Sequence, residues 1–135
     1  MDRCVEINIG GKDYPLLMSL AAEEKICQKY GSMKCFLEKF SNEKESVTTY
    51  IDVLQLMIEQ GCAYKNTFEK DIPPGQNAPV REGKFCAISR EEIALGLDRR
   101  RLGEIINKIL EAAGLARKNE IAGKEIGNKK NESKE

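Results

Sequence analysis

The sequence contains no histidine, so it lacks the commonest general base of enzymes. Without histidine, the Ser-His and Cys-His pairs that activate many hydrolytic nucleophiles are impossible. The adjacent carboxylates Glu23/Glu24 and Glu91/Glu92 do not replace it. Neighbouring side chains on a helix point about 100° apart and do not converge on one substrate atom. We therefore predict a binding or scaffolding protein that is not an enzyme and needs no cofactor.

Cysteine is present without the spacing of a metal site or a disulfide framework. The five cysteines are an odd number, are widely separated and form no Cys-x-x-Cys pair: Cys4, Cys27, Cys35, Cys62 and Cys86. This usage is typical of cytosolic proteins, in which such thiols act as small buried hydrophobic residues. We predict no metal, because the usual zinc ligand sets need clustered cysteines or histidines. A small enzyme using cysteine or tyrosine chemistry would need an abnormally reactive thiol.

Net charge and long apolar runs are also missing. The 22 basic residues balance 22 acidic ones, so binding to nucleic acid would need a local basic patch. No stretch approaches the roughly 18 apolar residues of a membrane span, and the N-terminus has no apolar core of a secretion signal. We therefore expect a cytoplasmic protein that is neither exported nor embedded in a membrane.

A β-hairpin is predicted over residues 3–18. Residues 4–9 alternate between apolar and polar, Gly10-Gly11 supplies a turn, and an extended run follows. Pro15 has no amide hydrogen to donate, so the second strand should pair on one side only.

Two helices are predicted next. The first runs from Leu20 to Tyr30, where Ser19 caps its start and Gly31 ends it. Its apolar stripe is Leu20, Ile26, Cys27 and Tyr30. The second runs from Met33 to Phe40 and carries its phenylalanines on one side.

The clearest helical periodicity lies between Val47 and Gly61, where apolar residues recur every three or four positions and predict one core-facing side. A long loop is predicted from Lys65 to Ala87, because proline, glycine and asparagine accumulate there. Long loops are often functional, so this one is a candidate interaction surface. Its apolar residues either anchor it to the core, which we favour, or contact a partner: Phe68, Ile72, Val80 and Phe85.

The C-terminal third predicts a helix pair over residues 89–114 and a charged tail over residues 117–135, which we expect to be disordered. A capping box at Ser89 starts a helix from Arg90 to Leu95. Asp98 then caps a longer helix, from Arg99 to Ala113, which ends at a glycine.

Residues 89–118 also resemble a helix-turn-helix DNA-binding motif. Under this alternative, Arg99, Arg100 and Arg101 at the start of the second helix would contact phosphates. Cations are unfavourable at a helix N-terminus, and the neutral chain argues against strong binding to DNA. Because the resemblance to the motif remains, DNA binding is kept as the alternative to scaffolding.

Two blocks of the chain resemble the tail assembly chaperones of long-tailed bacteriophages and related prophage elements. The first is the hairpin Ile7-Asn8-Ile9-Gly10-Gly11-Lys12-Asp13-Tyr14-Pro15-Leu16 and the helix ending at Tyr30-Gly31. The second combines the long helix from Val47 to Gly61 with the helix that ends at Ala113-Gly114-Leu115. The similarity covers roughly residues 5–64 and 88–118, and the proline-rich loop and the arginine cluster depart from the family pattern.

The resemblance implies a non-enzymatic chaperone of virion morphogenesis in the cytoplasm of a bacterial host. Such a protein binds the tape-measure protein and recruits tail-tube subunits, so its expected partners are these proteins, with self-association of the chain as a further candidate contact. This work needs exposed apolar surface, for which the four phenylalanines are candidates, although Phe36 and Phe40 share a helical face with Leu37 and are expected in the core. The expected fold is α+β: a mostly helical single domain over residues 1–116, with the N-terminal hairpin and the long loop.

Overall fold

The order of secondary-structure elements in the described part of the chain confirms a mixed α+β fold with an N-terminal hairpin and five α-helices there. The computed structural model describes residues 4–40 and 46–114, so the tail predicted at 117–135 lies outside the described residues. The strands are β1 (Val5–Ile9), β2 (Lys12–Leu16), β3 (Val80–Arg81) and β4 (Lys84–Phe85). The helices are α1 (Leu20–Tyr30), α2 (Met33–Phe40), α3 (Ser46–Phe68), α4 (Arg90–Gly96) and α5 (Leu102–Ala112), with a 3-10 turn at Arg99–Arg101.

The N-terminal hairpin is confirmed. Strands β1 and β2 are antiparallel, with Val5 opposite Leu16 and Ile9 opposite Lys12. Within the described chain β2 pairs with no strand other than β1, as expected from Pro15. On its other side, the β2 edge receives the later loop, because the backbone amide of Asp13 donates to the carbonyl of Asn77 at 2.9 Å.

Helix α3 organises the core. The hairpin lies against its middle, where the amide of Leu17 donates to the carbonyl of Met57 at 3.1 Å. Gly61, one turn later, allows the backbone of Pro15 to approach: a Cβ at this position would lie 2.6 Å from the Pro15 carbonyl carbon. The core draws on most elements and includes Ile7, Ile9, Leu16, Ile26, Phe36, Phe40, Tyr50, Leu54, Met57, Ile58, Ile93, Ile105 and Ile109.

The predicted end of the long helix at Gly61 is wrong. Helix α3 continues to Phe68, so the segment predicted as a loop from residue 65 begins only at residue 69. Glycine often ends helices, but Gly61 is buried within α3 and its missing side chain makes room for Pro15. Tertiary packing accounts for this glycine.

The proline-rich segment contains a second hairpin that the sequence did not predict. Strands β3 and β4 pair antiparallel, and their turn is formed by Glu82 and Gly83 with φ angles of 53° and 83°. The Asn66 side chain binds β4 from α3: its Oδ1 accepts from the Phe85 amide at 2.9 Å and its Nδ2 donates to the Phe85 carbonyl at 3.0 Å. One amide side chain therefore fixes this hairpin to the long helix.

Helices α1 and α2 begin and end where the sequence predicted. The Ser19 hydroxyl accepts from the Ala22 amide at 3.0 Å, and Gly31 ends α1 with a φ of 96°. Phe36 and Phe40 of α2 are buried, and their ring centroids are 5.4 Å apart. The expectation that both belong to the core is confirmed.

The C-terminal helix pair forms with one correction. The capping box of Ser89 and Glu92 is present at the start of α4. The second helix was predicted to start at Arg99, but residues 99–101 form a 3-10 turn and α5 starts at Leu102. In this turn the Asp98 carbonyl accepts from the Arg101 amide, three residues on, at 3.0 Å, and the Asp98 carboxylate caps the Arg100 amide; such turns are frequent where α-helices begin.

Asp52 of α3 joins three helices through two ion pairs. Its carboxylate accepts from Lys29 Nζ of α1 at 2.9 Å and from Arg90 Nε of α4 at 2.8 Å. Partial burial raises the pKa of Asp52, but the hydrogen bonds from Arg90 and Lys29 outweigh it and lower the pKa below its usual 3.8. The carboxylate is therefore charged at neutral pH.

Candidate protein-binding surfaces

Metal-ligating groups, long apolar helices and a buried thiol can be checked in the described residues. Within residues 4–40 and 46–114, no three metal-ligating side chains converge on a point that could hold an ion. In the same part of the chain, no helix has the length and apolar character that crossing a membrane requires. Burial, together with the neighbouring thiols of Cys86 and Cys4, raises the pKa of Cys62 to about 12. Cys62 is therefore a protonated core thiol rather than an activated nucleophile.

A groove separates the start of α1 from the end of α3, and we call it the α1–α3 groove. Its volume is about 370 Å³, and no charged side chain lines it. Its apolar lining is Leu17, Leu20, Ala63, Tyr64 and Phe68. Leu20 is 83% exposed and Phe68 is 74% exposed, so two large hydrophobic side chains face solvent at one groove. Exposed large hydrophobic side chains gathered at one groove are typical of interaction sites.

A hydrogen bond holds the two sides of the α1–α3 groove together. The Ser19 hydroxyl, which caps α1, also donates to Gln60 Oε1 of α3 at 2.5 Å. Because Leu20 follows Ser19 directly, this bond fixes the first turn of α1 beside the end of α3. The Tyr64 and Phe68 rings are neighbours on that end, with centroids 5.3 Å apart. Both exposed residues therefore belong to helices whose ends are joined by a hydrogen bond.

The four loop residues singled out from the sequence do not form one surface. Phe68 lies in α3 and lines the α1–α3 groove, whereas Ile72 is 58% exposed beyond the helix. Val80 and Phe85 are half-buried in the second hairpin, and Phe85 packs against the core, as an anchor should.

The sequence placed Leu20 in the core stripe of α1. This prediction is wrong, because Leu20 is mostly exposed, and no signal in the sequence marks it as exposed.

A second, smaller groove lies between the start of α3 and the 3-10 turn, and we call it the α3–α5 groove. Its volume is about 190 Å³. Its apolar lining includes Val47, Ile51, Leu54, Leu97 and Leu102. Asp98 and Arg99 are the charged residues that line it. Val47, predicted in the core stripe of α3, is 46% exposed here, so that part of the stripe is wrong.

Two of the three clustered arginines are paired with nearby carboxylates. Arg100 binds Asp98 at 2.8 Å, and this hydrogen bond lowers the pKa of the Asp98 carboxyl group. Arg101 binds both oxygens of Glu104, at 2.8 and 3.0 Å, and lowers the pKa of that group in the same way. Among the described residues, the Arg99 side chain has no ion pair or hydrogen bond.

These pairs bear on the DNA-binding alternative. Residues 89–114 contain five basic and five acidic residues, so the helix pair has no net charge. Arg100 and Arg101 would have to exchange an intramolecular carboxylate for a phosphate, and such an exchange gains little. Arg99 alone of the three presents an uncompensated guanidinium within the described chain.

Comparison of the chain with protein-family models, with curated protein sequences and with solved structures finds no significant match.

Proposed function

We propose that this chain is a non-enzymatic tail assembly chaperone of a long-tailed phage or prophage element, and that it binds the tape-measure protein and recruits tail-tube subunits. The observation that carries the proposal is the α1–α3 groove, where Leu20 and Phe68 are mostly exposed on ordered helices. The resemblance of the hairpin and helices to that family supplies the identity of the partners.

The lining of the α1–α3 groove favours an apolar partner segment. None of its lining residues is charged, so an apolar segment could bind there without removing an ion from water. Complete burial of a large hydrophobic side chain contributes about 1.5 to 3 kcal/mol. Only the exposed fractions of Leu20 and Phe68, 83% and 74%, remain to be buried, so together they would contribute roughly 2 to 5 kcal/mol before the costs of association. A contact of this size is reversible, as expected of a chaperone that leaves the finished tail.

Co-expression in a bacterial host tests the proposal. The chain would be produced with the tape-measure and tube proteins encoded beside it, and the complex recovered through a tag on the chain. The test variant is the double change Leu20→Glu and Phe68→Lys. Glutamate suits the first turn of α1 and lysine suits the last turn of α3, so helix dipoles favour both changes and the net charge is unchanged.

The matched control is Leu95→Lys. Leu95 is 88% exposed in the last turn of α4 and lines neither groove. We expect the wild-type chain and the control to retain the tape-measure protein, and the double variant to lose it while keeping its circular dichroism spectrum. Equal retention by the double variant, or neighbouring genes without any tail component, would contradict the proposal.

A further inference from the structure

The α3–α5 groove has features that the proposed chaperone contact does not use. Its apolar lining lies beside Arg99, the one arginine of the cluster that has no partner among the described residues. Its volume of about 190 Å³ is below the roughly 300 to 1,000 Å³ of pockets for drug-sized ligands. The space therefore suits the side chains of a peptide segment.

We infer that the α3–α5 groove is a second binding site, which takes an apolar peptide segment carrying a carboxylate that pairs with Arg99. The apolar side chains of the segment would lie on Ile51, Leu54 and Leu102. The carboxylate would accept hydrogen bonds from the Arg99 guanidinium, whose planar fork matches a carboxylate.

The charges at the rim of the groove select an acidic partner over a basic one. Asp98 also lines the groove, but Arg100 already satisfies it: Arg100 Nη2 donates to Oδ2 at 2.8 Å and the Arg100 amide donates to Oδ1 at 3.0 Å. A basic partner would have to displace Arg100 and would be repelled by Arg99. An acidic partner can pair with Arg99 without breaking an ion pair within the described part of the chain.

The same pairing pattern distinguishes a peptide from a nucleic acid. Long-range attraction to DNA follows net charge, so removing Arg99 or removing Arg100 would each lower the net charge by one and weaken this attraction alike, although Arg100 is paired with Asp98. A carboxylate seated at the groove depends on Arg99, because Arg100 is engaged by Asp98 and does not line the groove. Two single substitutions of equal charge therefore separate the two cases.

The probe is a library of random 12-residue peptides displayed on a surface and selected on the purified full-length chain. We expect selected peptides to share apolar positions next to an aspartate or a glutamate. The best peptide, labelled with fluorescein, would then be measured by fluorescence polarisation against the wild-type chain and its variants. Replacing its acidic residue with the matching amide tests the carboxylate directly.

Arg99→Ala should weaken binding of the labelled peptide about tenfold, as expected for one hydrogen-bonded charge pair that is partly exposed. The matched control Arg100→Ala should change binding less than about twofold. Leu102→Lys should remove binding, because it places a charge on the apolar floor. The double variant in the α1–α3 groove should bind the peptide normally, so failure of either site is seen independently.

Three outcomes would overturn the inference. One is that no selected peptide loses binding to the Leu102→Lys variant, or that the peptides that do lose it lack acidic residues or carry lysine in their place. Another is equal weakening by Arg99→Ala and Arg100→Ala, which would indicate long-range charge alone. The third is salt-dependent binding to duplex DNA that both substitutions weaken and that the acidic peptide does not compete with, which would assign the arginines to nucleic acid.

Discussion

Replacing Gly61 with alanine tests how the hairpin packs on α3. An alanine Cβ would approach the Pro15 carbonyl oxygen most closely, and it would lie 2.6 Å from the Pro15 carbonyl carbon and 3.0 Å from its Cβ. Two of these three atoms belong to the backbone and cannot move away by changing a rotamer. The hairpin must therefore shift relative to α3 to accommodate one methyl group.

The expected loss of stability follows from three contributions. Overpacking costs about 1 to 3 kcal/mol, and a backbone obstacle favours the upper part of that range. Displacement of the hairpin also weakens the bond from the Leu17 amide to the Met57 carbonyl, which contributes about 1 kcal/mol. In the opposite direction, alanine in place of glycine stabilises a helix by about 1 kcal/mol. The net free energy of unfolding should fall by roughly 2 to 3 kcal/mol.

Urea unfolding followed by circular dichroism measures this change. With a slope of about 1 to 3 kcal/mol per molar urea, the midpoint should fall by about 0.7 to 3 M. Two other glycines provide matched controls. Gly103→Ala adds a Cβ with nothing within 4 Å, so stability should stay the same or rise slightly. Gly96→Ala meets only the Ile9 Cγ2 at 2.8 Å, the end of a side chain, and should cost less than Gly61→Ala.

The reasoning is refuted if Gly61→Ala is at least as stable as the wild-type chain. A loss no larger than that of Gly96→Ala would refute it as well. In either case the close approach of β2 to α3 would be incorrect, and the glycine would need another explanation.

Three further predictions concern charge, a polar anchor and thiols. Asp52→Asn should lower the free energy of unfolding by about 1 kcal/mol at pH 7, since its ion pairs are partly exposed. Because the folded-state pKa of Asp52 is lowered, the stability difference between the wild-type chain and Asp52→Asn should shrink as the pH falls from about 5 to below 3.8. Urea midpoints of both proteins across that range measure this difference, and a difference that stays constant would contradict the prediction. Asn66→Ala should speed hydrogen exchange in residues 69–87 and leave α1 unchanged, since it leaves both backbone groups of Phe85 without this partner; unchanged exchange at 80–85 would contradict this. Iodoacetamide should label exposed Cys35 first and Cys62 last, because Cys62 is buried and its pKa is about 12; mass spectrometry that finds Cys62 labelled first would contradict this.

Local signals in the sequence predicted the elements that local interactions stabilise. Ser19 and Ser89 cap their helices through bonds to amides three residues away, so the whole signal lies within one turn. Gly31 ends α1 by adopting a positive φ, which the sequence also reveals. Both ends of α1 and the start of α4 were predicted for this reason.

Elements that depend on distant contacts were missed. Gly61 looked like a helix end because Pro15, which explains it, is 46 positions earlier in the chain. The second hairpin has only two residues in each strand and is held by Asn66, which lies in another element. Its turn residue Gly83 was a usable signal, but Glu-Gly is a weaker turn signal than Asn-Gly or Asp-Gly.

The candidate sites also depend on distant contacts that the sequence does not reveal, and both involve α3. Hydrophobic periodicity identifies an apolar stripe but does not reveal where along the helix its partners stop. The middle of α3 meets Leu17 at Met57 and Pro15 of β2 at Gly61. In contrast, Val47 near its start and Phe68 at its end are left exposed. The linings of the two grooves centre on α3 positions about 14 residues, or roughly 21 Å, apart. Because the two grooves lie near opposite ends of one helix, a partner at one groove need not touch the other, and each groove can be tested by its own substitutions.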